Sequence, residues 1–147
     1  MAFLKLTIRF FMAVLVCFML ASIFHSQFVL IELLKLGVNI PVGDWISMTI
    51  SDLLGLLPGY GGIITIALLL AFLIMQAIHK WLINLPDWRY PMAGFLALTT
   101  ALLAMQPLLG VTLIAGARTE LGFFSQCLAG AIGGLFFMWL QRQAQRH

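Results

Sequence analysis

The chain reads as an all-α membrane protein of one domain, with four transmembrane helices and a short interfacial helix between spans one and two. Three observations predict this. Hydrophobic residues make up 63% of the 147 positions and charged residues only 9%, against about 25% charged in ordinary soluble domains. Mean hydropathy is +1.08. The apolar residues fall in separate runs, each near the roughly 20 residues that cross a hydrocarbon core of about 30 Å, and Gly, Pro and charged residues divide them. Four spans and short connections use up the length and leave no room for a separate soluble domain. The formal charge of +3 is spread thinly, with no basic run dense enough for a phosphate backbone. Nucleic acid is therefore excluded as a partner, and the lipid bilayer is the first one implied.

The first span is predicted over about residues 7–36, ending at Gly37 with Pro41 shortly after, a stop signal. Thirty helical residues reach about 45 Å, more than the hydrocarbon core, so its last turns, with Glu32 and Lys35, should stand in the wet boundary. Lys5 and Arg9 ahead of an apolar run also suit a cleaved leader. No convincing small-x-small site lies near Ala21 and Ser22, however, and apolarity continues past them. Asp44 can cap a helix over about 45–57 whose Ile46, Ile50, Leu53, Leu54 and Leu57 share one face, and Pro58 and Gly59 are expected to end it. At this length it cannot span, so it is read as an interfacial lid on the bundle, or as a re-entrant element shielded by protein.

Residues 61–79 form the plainest span, apolar on every side, followed by a boundary loop with Lys80, Trp81, Trp88, Arg89 and Tyr90. A third span is predicted over 92–115 and a fourth over 120–140, joined by a tight turn as an antiparallel hairpin. Thr119 is its expected N-cap, with Glu120 favourable at the positive end of the helix dipole. Lys5, Arg9, Lys80, Arg89, Arg142 and Arg146 fall on one side of these spans, Lys35 and Arg118 on the other. That imbalance puts both termini in the cytoplasm of a bacterial inner membrane.

Small residues recur at intervals of four: Ala93, Ala97 and Ala101 on the third span, and Gly122, Gly130 and Gly134 on the fourth. Such stripes let helix backbones approach in lipid, here by packing of the third span on the fourth or on another copy. Most intramembrane polar residues fall in the outer half: Ser22, His25, Gln106, Ser125 and Gln126 could line a small polar cavity open to the outer side, with Pro107 bending the third span beside it. In that cavity His25 would exchange protons or bind a ligand. The competing reading makes the histidine and the amides hydrogen-bonded glue between helices.

No cofactor or metal is expected. His25, His79 and His147 lie at different depths and cannot grip one haem iron. Cys17 and Cys127 are isolated in apolar runs, unlike the redox pairs of a quinone-linked disulfide-exchange enzyme. The mid-membrane acid that a small multidrug exporter would hold in its first helix is missing between Val14 and Met19. No nucleophile with a partnered base, no carboxylate pair and no phosphate loop is found.

The succession SIFHSQFVLIELLKLG, IPVGDWISMTISDLLGLLPGYG, ITIALLL, GVTLIAGARTELGF and QCLAGAIGG resembles a family of small four-helix bacterial inner-membrane proteins. The resemblance covers most of the chain and implies that fold, with no activity attached. The functional expectation is a non-catalytic accessory or assembly subunit, in contact with other membrane-protein subunits or with itself. The alternative is a small homo-oligomeric transporter or channel built on the outward-facing polar cavity. An enzyme acting on lipid or quinone would have only Asp44, Asp52, Arg118, Glu120 and His25 to draw on.

Overall fold

A computed structural model describes residues 2–81, 87–109 and 119–145, and these are almost wholly helical. The helices are α1 (Ala2–Lys35), α2 (Val42–Leu56), α3 (Gly62–Trp81), α4 (Arg89–Leu109) and α5 (Glu120–Gln145), with a π-helical turn at Leu57–Gly61 between α2 and α3. Among the described residues three stretches are long and apolar enough to cross a membrane: Leu4–Lys35, Val42–Lys80 and Glu120–Ala144. The expected end of the third span, Ala115, lies outside the described residues.

Local chemistry sets the ends of these helices. Gly37 has φ +81°, and the N–H groups of Gly37 and Val38 donate to the carbonyls of Leu34 and Leu33 at 3.0 and 3.2 Å. This Schellman closure needs a residue free to adopt the left-handed region. Pro91 sits in the first turn of α4, where its missing N–H leaves no helix bond unmade. At the head of α5 the Gly122 N–H donates to Thr119 Oγ1 at 3.1 Å, which makes Thr119 the N-cap. Asp44, read from the sequence as the cap of α2, lies inside its first turn instead; Pro41 takes the cap position and no side chain caps the helix.

The helix expected to stop at Pro58 and Gly59 does not stop. The backbone continues through the π turn into α3, so the whole rod from Val42 to Lys80 has 39 residues and is about 58 Å long. α1 runs antiparallel along it: Ser26 meets Asp52, Phe18 lies by Gly61, and the rings of Phe10 and Phe72 are 6.2 Å apart. α2 therefore stands alongside the second half of α1 and does not lie flat across the bundle. Of the face expected to cover the bundle, Ile46, Ile50, Leu54 and Leu57 are exposed and Leu53 is partly buried against the core, while Trp45, Thr49 and Asp52 turn toward α1.

The other contacts complete an up-down-up-down bundle in which α1 packs on α5, α5 on α4 and α4 on α3. α1 buries a continuous stripe that includes Ala13, Cys17, Phe18, Ala21 and Leu30, and Cys17 lies against Gly133. The tightest approach is between α4 and α5. A Cβ on Gly94 would come within 2.1 Å of the Gly130 carbonyl oxygen, and one on Gly134 within 2.2 Å of the Tyr90 carbonyl oxygen. Gly130 and Gly134 thus lie at this seam, but their partners on α4 are Gly94 and Tyr90. Ala93, Ala97 and Ala101 line a recess between α4 and α3, a placement that differs from the packing on the fourth span read from their spacing. Gly122 is buried in the capped first turn of α5.

These contacts predict opposite signs for two kinds of glycine. Gly94→Ala and Gly134→Ala should each destabilise by about 1–3 kcal/mol, because backbone must move to admit the methyl. Gly55→Ala, with nothing within 4 Å of its added carbon, should stabilise α2 by about 0.5–1 kcal/mol. Thermal midpoints of the three variants in one detergent check this.

Candidate functional site

In lipid a buried polar group must find its partner inside the protein, and here the buried polar side chains gather in two adjoining places on α1. The first is the seam between α1 and α2. Ser22, His25 and Ser26 share one face of α1 and are all buried, at 0%, 8% and 0% exposure. Opposite them, the Asp52 carboxylate accepts a hydrogen bond from the Ser26 hydroxyl at 2.8 Å, and that hydroxyl lies 3.1 Å from the Ser22 carbonyl. Asp52 is also within electrostatic reach of His25. Further along, the Trp45 indole N–H donates to Gln27 Oε1 at 2.9 Å and the Thr49 hydroxyl donates to the Trp45 carbonyl at 2.9 Å. The Ser22 hydroxyl is buried with no partner among the described residues.

The second place is a knot around Gln126, which is fully buried. Its Nε2 donates to the Ala21 carbonyl at 3.0 Å and its Oε1 accepts from the Tyr60 hydroxyl at 2.9 Å. One amide thereby joins α5, α1 and the π turn. The knot adjoins the seam along α1, since Ala21 precedes Ser22.

The five residues expected to share one cavity are divided by the structure. Ser22 and His25 come together, and with them Ser26 and Asp52. Gln126 has both ends of its amide engaged in the knot. Ser125 turns its hydroxyl back to the Leu121 carbonyl at 2.7 Å, within its own helix. The side chain of Gln106 lies outside the described residues. Asp52 and Tyr60 are the partners that sequence reasoning did not assign. The signal for Asp52 was present in the spacing of Trp45, Thr49 and Asp52, one polar face of α2; in lipid it is that face, not the apolar one, that turns inward.

The depth of the seam follows from a second polar level at the other end of the bundle. There Arg9 donates to Gln141 Oε1 at 2.8 Å, and Arg142 pairs with Asp87 at 2.8 Å. Arg9 and Ser26 are seventeen residues apart on one helix, about 26 Å, close to the thickness of the hydrocarbon core. The two polar levels are thus about one hydrocarbon core apart along α1. A carboxylate, an imidazole and two hydroxyls in the seam can hold a proton or a small cation. Among the described residues no three His, Cys, Asp or Glu side chains come together to hold a metal ion. Cys17 and Cys127 are buried free thiols, and the Thr99 hydroxyl lies 3.1 Å from the Cys127 sulfur.

Comparison of the chain with protein-family models, with curated proteins and with solved structures finds no match.

The knot predicts a measurable coupling. Tyr60→Phe and Gln126→Leu should each destabilise by about 1–3 kcal/mol, because each leaves a buried partner unpaired. A double-mutant cycle on unfolding should return a coupling of about 0.6 kcal/mol, the average for such links in membrane proteins. A coupling of zero would mean that the two side chains do not touch.

Proposed function

We propose that this chain is a four-span protein of the bacterial inner membrane with both termini cytoplasmic, acting as a non-catalytic accessory or assembly subunit of a membrane complex. The observation that carries the reading is the Gln126 knot. This fully buried side chain has both ends of its amide engaged in fastening three elements, which is work of scaffolding. The exposed faces are apolar: Ile46, Ile50 and Leu54 on α2, and Ile66, Leu70 and Ile74 on α3. They suit lateral contact with other membrane proteins. α4, with 21 residues and a length of about 32 Å, is long enough to be the fourth span. The low and high polar levels, with their excess of Lys and Arg on the side of the termini, support the orientation.

The test is capture of the tagged chain from mild detergent with its native mass. A foreign membrane protein in fixed stoichiometry is the expected outcome; a lone monomer would overturn the assignment.

A second reading, a small transporter or channel exchanging protons or cations at the outer boundary, is favoured by one observation, the buried Ser22 hydroxyl left without a partner beside His25 and Asp52. It predicts that Ser22→Cys reacts with a membrane-impermeant thiol reagent in intact cells, and that the native thiols Cys17 and Cys127 do not. Protection of Ser22→Cys under those conditions would remove a water-filled route to the seam.

A further inference from the structure

Of the five acidic side chains in the chain, only Asp52 turns into a helix interface without a Lys or Arg partner. Asp87 pairs with Arg142 and Glu32 with Lys35, while Asp44 and Glu120 are exposed. Asp52 is partly buried against α1, and no Lys or Arg lies within ion-pair distance of its carboxylate among the described residues. Arg9 and Arg142 belong to the other polar level, about 26 Å along the bundle. Ionisable groups inside a membrane protein face a counter-charge or a route for an ion.

The oxygens beside Asp52 have lone pairs to spare. The Ser26 hydroxyl lies 2.8 Å from Asp52 Oδ2 and 3.1 Å from the Ser22 carbonyl, but it carries one hydrogen, so only one of these acceptors receives it. Ser22 stands one turn nearer the N-terminus in the same row of α1. Its neighbours in that row, Phe18 and Ser26, meet the rod at Gly61 and Asp52, so Ser22 faces the rod between those two points. It is wholly buried, and its hydroxyl has no partner among the described residues. Five other helical hydroxyls, those of Ser26, Thr49, Thr65, Thr99 and Ser125, bond back to the carbonyl four residues earlier. Ser22 forgoes that bond, and its hydroxyl is turned from its own backbone toward the seam.

We infer that the seam binds a monovalent alkali cation, held by the Asp52 carboxylate, the Ser22 and Ser26 hydroxyls and the Ser22 carbonyl. All four are hard oxygen ligands, the kind such ions take. One carboxylate balances one positive charge, and a divalent ion would bring an uncompensated charge into the bundle. Sodium has about the radius of calcium, whose ligand oxygens stand at about 2.3–2.6 Å, so it bridges oxygens about 5 Å apart. Side chains one helical turn apart, about 6 Å along the axis, close that gap. The competing counter-charge is a proton on His25, which is within electrostatic reach of Asp52. The inference rests on the second reading above in taking the seam as an ion site, and goes beyond it in naming the ion and its ligands.

The experiment follows thermal unfolding of the purified full chain in neutral detergent, with choline chloride replaced stepwise by sodium chloride at constant ionic strength. At a sodium concentration ten times its dissociation constant the wild type should melt about 3–6 °C higher than in choline. Asp52→Asn, which keeps an acceptor for the Ser26 hydroxyl, should lose the response. Ser22→Ala, which removes one ligand, should weaken sodium affinity about tenfold. Ser125→Ala, whose hydroxyl is bonded within its own helix, should respond as the wild type does. A wild type indifferent to sodium would leave the Asp52 charge to His25 and overturn the proposal, as would an undiminished response in Asp52→Asn. If Asp52→Asn does not fold, Ser22→Ala decides, and unchanged affinity there would overturn the proposal equally. The transport reading fails separately: protection of Ser22→Cys in intact cells, with the sodium response of the wild type present, would leave a bound ion with no water-filled route to it.

Discussion

The absence of water around the helices is the constraint on which the architecture depends. In lipid, apolar surface gains little by being covered, so helix association relies on close backbone packing and on polar links. Both are concentrated in this bundle. Gly94 and Gly130 let α4 and α5 approach at backbone distance, and Gln126 ties α5 to the Ala21 carbonyl and the Tyr60 hydroxyl. The position of Tyr60 in turn depends on the π turn, so three helices share a fixed point set by one amide. An aliphatic side chain of similar size could fill the volume but could not satisfy the Tyr60 hydroxyl.

Much of the helical order was legible in the sequence, because apolar run length and terminal signals act locally. Gly37 closing α1 and Thr119 capping α5 are residues whose backbone or side chain does the same thing in any surroundings. Facing was harder. A helix with Ile46, Ile50, Leu54 and Leu57 on one side would bury that side in water, and the same periodicity in lipid presents it outward. Asp52, read from the sequence only as a group that an enzyme could draw on, lies against α1 and accepts from Ser26. The path through Pro58 was missed for a related reason. Proline marks an interruption of regular α-helical hydrogen bonding, and a π turn accommodates the interruption without a break in the rod.

The candidate site was legible in part. The spacing of Ser22, His25 and Ser26 put them on one face, which is local geometry. Which of Gln106, Ser125 and Gln126 would join them depended on rotations of other helices, and no spacing within a helix reports those. The small-residue stripes show the same limit. Ala93, Ala97 and Ala101 lie on one face of α4, but that they turn toward α3 and Gly94 toward α5 is a property of the assembled bundle.

The π turn at Leu57–Gly61 separates two problems that a continuous α-helix would have to solve together. An extra residue in a turn retards the face of a helix by about 100°. The inward positions Trp45, Thr49 and Asp52, extended at regular helical spacing, would meet the core of α3 near Ile63 and Ala67. The residues buried there are Ile64 and Leu68, one position later. The turn therefore acts as a phase shifter between two halves of a single rod. The upper half can address its polar row to α1 while the lower half addresses aliphatic residues to the bundle centre, and each half is free to change its own pattern without rotating the other.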